Sequence, residues 1–330
     1  MKTLAQGVFV CAVLCLCVPD AIILSEQKAG EDAARLVPLP DKTPQPPDNP
    51  TTTAKVALGK NLFFDRRLSG NNRISCASCH VPSKGFADGQ AFSIGVKGHK
   101  LTRNTPTILN LGFQKELFWD GRAKSLEEQA LMPIESPDEM NQPIEKLVLE
   151  LKSIGEYRES FSKSFDDGIN AVNVAKALAA YERSLVSKTS AFDNYLNGDK
   201  KALSVSALRG LELFEGDAGC VRCHNGPLLS DGKFYRIGVG RGDVGRAAIT
   251  GKREDAYRFR TPSLREVSRT APYMHDGSKK TLYQVVEYYY RGVPTRGPEG
   301  LKLDIDPLSD RSFTEIDDLV AFLRTLTNVD

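Results

Sequence analysis

Two short stretches concentrate the reactive side chains of this chain: CASCH, from Cys76 to His80, and CVRCH, from Cys220 to His224. Two thiols one helical turn apart, followed directly by an imidazole, form the attachment pattern of c-type haem. Each thiol adds across a porphyrin vinyl group, and the spacing suits two vinyls on adjacent edges of the ring. The histidine then turns inward as an axial iron ligand. Cys76, Cys79, His80, Cys220, Cys223 and His224 therefore read as the anchors of two covalently attached haems. Competing chemistries explain less. Two disulfides leave both histidines without a purpose. A redox C-x-x-C needs one pair on a βαβ pattern, which is absent here. A four-cysteine zinc site does not ask for a histidine after each pair.

The elements that carry these motifs must come from a chain of 330 residues, 41% hydrophobic and 26% charged, which is enough for two ordinary domains. The formal net charge of +2 offers neither a nucleic-acid footprint nor a polybasic membrane patch. The opening MKTLAQGVFVCAVLCLCVPD has an apolar run too short to span a bilayer and reads as a secretory signal peptide, residues 1–24. Periplasmic export with no membrane span after processing is the expectation. A lipidated Cys15 or Cys17 is disfavoured, because Leu14 and Leu16 stand where a small residue is wanted. Export leaves only the four cysteines of the haem motifs. The stretch VPLPDKTPQPPDNP, with six prolines, makes residues 25–50 an extended Pro-rich linker outside the folded part.

The rest of the chain repeats itself. FWDGRAKSLEEQALMP and MHDGSKKTLYQVVEYY align with Asp120-Gly121 on Asp276-Gly277 and Ser125-Leu126 on Thr281-Leu282, 156 residues apart. The same offset carries Thr105-Pro106 onto Thr261-Pro262, whereas the haem motifs lie 144 apart. The second copy therefore has a longer loop, placed at RIGVGRGDVGR. Helical periodicity recurs at Ala54, Leu58 and Leu62; at Leu147, Leu151 and Ile154; and at Val174, Leu178, Tyr181 and Leu185. It returns at Leu208, Leu211 and Phe214, behind a cap at Ser204 or Ser206, and at Ile316, Leu319, Val320 and Leu323. Strand alternation is not found. The fold class is all-α: two tandem cytochrome c-like haem domains arising from duplication, residues 51–190 and 191–330.

Three consecutive tyrosines then pose a question of direction. In TLYQVVEYYYRG, a helix from near Thr281 to before Gly292, residues Leu282, Val285, Val286 and Tyr289 share one apolar face. Tyr288 and Tyr290 point to either side. Tyr289 is the inward residue, facing the second porphyrin, with a plain core tyrosine as the alternative. The nearby Met274 sits in the APYMHDG turn instead. At the repeat offset Tyr289 corresponds to Pro133, which has no ligating atom. If the copies superpose, the second haem is closed by an oxygen ligand and the first is open to a small molecule.

LGKNLFFDRRLS, GFADG, RNTPTILN, FWDGRA, FRTPSLREV and APYMHDG, together with the two haem motifs, resemble the bacterial di-haem cytochrome c peroxidase family, especially its MauG-like branch. The resemblance runs from about Ala57 to the C-terminus. It implies two cytochrome c-like domains with a calcium ion between them, a first haem that meets hydrogen peroxide and a second that exchanges electrons. It assigns His80 and His224 as proximal ligands, Glu139 as the distal carboxylate and Gln129 as the distal amide. On sequence alone Glu139 reads as a solvated loop acid. Trp119, the only tryptophan, falls where the family has an aromatic between the haems, with a core role as the alternative. Asn104, Thr270 and Pro272 match the calcium site, the last two through backbone carbonyls. His275 and the pair Arg246 and Arg260 read either as aids to electron entry or propionate pairing, or as structural groups.

Departures from the family pattern sharpen the reading. Classical members carry a removable distal histidine where Val96 stands; His99, three residues on, is the remaining candidate for that place. Classical members also have a methionine at Tyr289, which is the MauG-like choice. The quinone-forming enzyme has a tryptophan at the position of Ala218. The expected function is a peroxidase that reduces hydrogen peroxide to water, with electrons from a small periplasmic cytochrome c or cupredoxin. The alternatives are an oxidase acting on side chains of a partner protein and a non-catalytic di-haem electron carrier. The resemblance also implies a homodimer.

Overall fold

The computed structural model describes residues 35–328, apart from residues 241, 307 and 309–312, so the signal-peptide reading falls outside the described residues. Helices dominate. The first group comprises α1 (Thr53–Phe64), α2 (Leu126–Glu135), α3 (Ile144–Ser153), α4 (Gly155–Ser162) and α5 (Ala171–Ser184). The second comprises α6 (Ala191–Leu196), α7 (Val205–Glu215), α8 (Leu282–Glu287) and α9 (Phe313–Arg324). Among the described residues the sheet is one antiparallel pair, β1 (Phe234–Tyr235) and β2 (Phe259–Arg260), too short for any alternation to show in the sequence.

Each group buries its own core. Leu58, Leu62 and Phe63 of α1 pack with Leu147, Leu151, Phe161, Val174 and Leu178. Leu211 and Phe214 of α7 pack with Phe192, Leu319, Phe322 and Leu323. A fully buried phenylalanine of this kind contributes roughly 1.5–3 kcal/mol by area. The capping residues fit the periodic segments: Ser204 caps α7 by accepting from the Ala207 N–H, and Asn170 caps α5 through Asn173. The two groups also cross their helices in the same way. A Cβ on Gly59 would sit 1.9 Å from the Ala177 carbonyl oxygen and 2.9 Å from Tyr181 Cβ. A Cβ on Gly210 would sit 1.9 Å from the Asp318 carbonyl oxygen and 2.9 Å from Phe322 Cβ. In both crossings only glycine lets the backbones approach.

The turn ahead of α2 recurs ahead of α8. Leu117 bridges Ala123 and Tyr273 bridges Lys279, while Phe118 and Met274 both take positive φ, 66° and 72°. Ser125 and Thr281 then cap the two helices. These pairs share the offset read from the sequence.

The Pro-rich stretch corrects the expectation of a free tether, as far as residues 35–50 show it. Leu36 is buried in the second core and pairs with Gly226, Thr43 donates to the Arg183 carbonyl, and Asn49 donates to Glu127 and to the Lys176 carbonyl. The prolines keep the strap extended, and the side chains between them bind it to both cores. The tyrosine triplet also differs from a single inward residue. The helix continues past α8 as a π-turn over Tyr288–Gly292, and both Tyr288 and Tyr290 are buried.

Candidate active site

The first haem motif opens on a cavity of about 720 Å³, within the size range of small-molecule and cofactor sites. Cys76 and Cys79 lie on one helical turn, and His80 ends it. His80 Nδ1 contacts the Phe86 carbonyl oxygen at 3.0 Å, which orients the ring and leaves Nε2 for a metal. Burial pushes the His80 pKa down, so the ring is held in the neutral, ligating form. The second motif repeats this: His224 Nδ1 contacts the Leu229 carbonyl oxygen at 2.9 Å, and burial again lowers the pKa. All four thiols are unbridged, and burial raises their pKa values, that of Cys220 to about 12. Thiols held protonated in this way are poor redox nucleophiles, which weighs against the C-x-x-C oxidoreductase alternative. The disulfide alternative fails with the unbridged sulfurs. No cluster of three or more His, Cys, Asp or Glu that could hold a metal exists among the described residues.

Facing the first motif, the cavity gathers Gln129, Pro133, Glu139 and Met140. Gln129 and Pro133 are one turn apart on α2. The Ser136–Glu139 turn then folds back, with the Glu139 N–H donating to the Ser136 carbonyl. Burial raises the Glu139 pKa; Arg122, the largest opposing influence, pulls it down. The sequence alone suggested a solvated acid, but packing of the 93–101 loop over this turn covers it: the Val96 N–H donates to the Glu139 carbonyl, and a Cβ on Gly95 would strike the Asp138 carbonyl oxygen. His99 stands exposed at the cavity rim. Met140, buried in the cavity wall, is a residue that sequence reasoning passed over for this site.

The opposite wall comes from the second group. Gly242, Asp243 and Val244 of the long loop line the same cavity, as does Arg260 of β2. Asp243 is held by Arg103, which also binds Asp120. Arg260 is 8% exposed and donates to the Phe118 and Thr261 carbonyl oxygens, with no carboxylate in its hydrogen-bonding range among the described residues. Desolvation lowers its pKa to about 10. A buried cation that no carboxylate hydrogen-bonds, with Glu116 acting on it only through space, suits an anionic cargo. Two thiols at one end, a ring nitrogen below and this guanidinium beside them fit a porphyrin with carboxylate arms. The unpartnered Gln129 Oε1 above adds a polar group that the protein leaves unused.

In the second group the Tyr289 phenol is enclosed, with its pKa raised by burial and then by Cys220, Tyr288 and Cys223. The Cys220 and Cys223 thiols are thus near enough to act on it electrostatically. Met274 packs in the same small cluster. Tyr288 is occupied elsewhere, donating to the Ile237 carbonyl oxygen.

A profile described as di-haem cytochrome c peroxidase matches residues 53–201. The chain is 42% identical over 295 residues to "Methylamine utilization protein MauG" of Methylorubrum extorquens, covering 87% of this chain and 82% of that protein. It belongs to the di-haem cytochrome c peroxidase family. It is also 40% identical over 329 residues to "Cytochrome-c peroxidase IdrP1" of Pseudomonas sp. strain SCT, covering 88% and 85%. A solved structure, that of a MauG-like protein associated with microbial copper homeostasis, aligns with a TM-score of 0.78 at 34% identity, over 88% of this chain and 95% of that one. Two c-type haems are what this family carries.

Within the di-haem peroxidase frame, the remaining residues gather where the two groups meet. Trp119 lines the first cavity and donates from Nε1 to the Asn104 carbonyl oxygen at 2.9 Å. Its ring meets His275 edge-on with centroids 6.4 Å apart, and His275 stacks on Phe259 at 3.6 Å. Burial pushes the His275 pKa down. Asn104 donates its amide to the Gln90 carbonyl oxygen, leaving Oδ1 free of any hydrogen bond among the described residues, and its backbone N–H to the His275 carbonyl oxygen. Thr270 packs against Gly85 and precedes Pro272 by two residues; no hydrogen bond joins either to Asn104. Arg246 is structural, bonding Glu116 and the Asp120 and Gly121 carbonyls and stacking on Phe234. Ala218 is buried in the second core.

Proposed function

We propose that the protein is a periplasmic di-haem peroxidase that reduces hydrogen peroxide to water at its N-terminal haem. The two haems supply the redox chemistry: electrons enter at the C-terminal one and are consumed at the N-terminal one. Cys76, Cys79 and His80 hold the first; Cys220, Cys223, His224 and Tyr289 hold the second. The two groups of helices are duplicated cytochrome c-like domains, residues 51–190 and 191–330, a reading supported by the matching glycine crossings.

The observation that carries the proposal is the asymmetry between the two centres. The first cavity offers a carboxyl, an amide and a proline opposite His80, whereas a phenol covers the second pair of thiols. Glu139 accepts the proton from one peroxide oxygen and returns it to the other, which becomes the leaving water. The Gln129 amide orients the incoming peroxide. Trp119 stands where an indole shortens the path for electrons between domains. Each peroxide takes two electrons from a cytochrome c or cupredoxin and two protons from solvent, giving two waters. We place one calcium ion by Asn104, Thr270 and Pro272, an assignment supported by the free Asn104 Oδ1 at the domain junction.

A turnover assay with hydrogen peroxide and reduced cytochrome c, combined with EPR of the oxidised protein, tests this reading. A high-spin and a low-spin haem with rapid donor oxidation are expected; two low-spin haems without turnover would sink it. Tyr289 and the MauG relative favour a second reading, oxidation of side chains on a partner protein, whereas the buried Ala218 gives that reaction no aromatic exit at this position.

A further inference from the structure

One carboxyl in the first cavity has no part in the chemistry above. Glu182 lies near the end of α5, is 5% exposed and lines the cavity. Its Oε2 has no hydrogen-bond partner. Cys76 lies close enough that Glu182 is the strongest charge acting on that thiol. The helix crossing gives Glu182 a counterpart. Ala177 and Tyr181 meet Gly59 as Asp318 and Phe322 meet Gly210, so one residue further along, Glu182 takes the place that Leu323 holds in the second domain. Leu323 is an ordinary core residue. A carboxyl in a leucine's place, without a hydrogen-bonded partner, is costly for folding and breaks the local pattern at the reactive centre alone.

The surroundings decide its protonation state. Burial, reinforced by Glu127 from the start of α2, raises the Glu182 pKa to about 8, and Arg183 opposes the shift. Arg183 is itself paired with Glu127. The Tyr181 phenol and the Cys76 thiol are the other titratable neighbours, and the thiol is consumed when it becomes a thioether. From α1, Lys55 turns away to Asn49 and Phe165. Among the described residues no cation hydrogen-bonds Glu182; Arg183, whose Nη2 binds Glu127, acts on it only through space.

We infer that Glu182 is the proton-coupling residue of the N-terminal haem, binding a proton from solvent when an electron enters that cavity and releasing it when the electron leaves. This rests on the reading that a haem occupies the cavity. One electron is matched by one proton, so the charge enclosed by the cavity stays constant through each one-electron step. Glu139 shuttles a proton between peroxide oxygens, whereas Glu182, beside the thioether edge, answers to the electron count.

Potentiometric titration of the purified holoprotein tests the assignment, following the N-terminal haem's absorbance between about pH 6 and pH 9, either side of the group's value of about 8. The wild-type potential is expected to fall as pH rises, by up to about 59 mV per pH unit, the tenfold change in proton activity converted for a one-electron couple. E182Q and E182L should abolish that slope. E182L, which installs the second domain's residue, should also raise Tm. E139Q should keep the slope. Two intact haems with an unchanged slope in E182Q and E182L would overturn the role of Glu182 alone. A wild-type protein with a single haem would overturn the cavity reading beneath it.

Discussion

The backbone N–H of Arg260 donates to the Trp119 carbonyl oxygen at 2.8 Å, joining β2 of the C-terminal half to the indole segment of the N-terminal half. The Arg260 guanidinium reaches the Phe118 carbonyl oxygen beside it. One junction thus fixes both Trp119 and the buried guanidinium in the wall of the first cavity.

Replacing Arg260 by Gln should leave the haem-free protein as stable as before or more so, because an uncompensated buried charge is removed. The haem-loaded protein should lose stability, and the potential of its N-terminal haem should fall. Thermal melts of both forms with a redox titration check this; equal destabilisation of both would mark Arg260 as purely structural.

Tyr289→Phe should keep both haems attached, since Cys220 and Cys223 are untouched, yet abolish the low-spin His/Tyr signal. Met274 packs beside Tyr289, so Met274→Leu is the matching control and should leave the spectrum unchanged. An EPR spectrum altered only by the Met274 change would reassign the ligand.

Glu139→Gln should lower the peroxide kcat/KM by about 10²–10⁴-fold, the usual contribution of a positioned acid–base group. Burial raises the Glu139 pKa. The base form is therefore lost as pH falls through that raised value, and wild-type activity should decline on the acid side at a higher pH than an exposed glutamate gives. Pre-steady-state rates with peroxide across pH read the limb directly, and E139Q should remove it.

Gly59→Ala and Gly210→Ala each force a methyl onto a carbonyl oxygen that the glycine now admits. Overpacking of this kind costs about 1–3 kcal/mol, and parted helices should loosen the haem domain they cross in. Thermal melts followed by haem absorbance should show each variant unfolding at lower temperature, with both haems still covalently attached.

Chelation of the calcium ion proposed at Asn104 should lower Tm, since a ligand bound only to the folded state adds stability that its removal withdraws. Recovery on adding calcium, but not magnesium, is the expected outcome in a melting experiment.

The haem motifs were legible because covalent chemistry fixes their spacing, and the helices because their apolar faces recur every three to four residues. The same periodicity pointed to Tyr289 alone, but the π-turn over Tyr288–Gly292 buries Tyr288 and Tyr290 as well. What the sequence hid is non-local. The contribution of Asp243 and Arg260 to the first cavity depends on how the two groups of helices pack together. Glu182 reads as one more charged residue on a helix, since its neighbours Arg183 and Ser184 are polar too; only the crossing at Gly59 turns it inward. The Pro-rich strap looked like a tether because its few anchoring side chains, Leu36, Thr43 and Asn49, leave no periodic mark.

The loop carrying Gly242, Asp243 and Val244 makes the cavity a joint product of two distant parts of the chain. A chain halted after α5 would own the thiols and imidazole of the first porphyrin but not its far wall. The wall of this cavity is therefore complete only where the later part of the chain is docked against the earlier part.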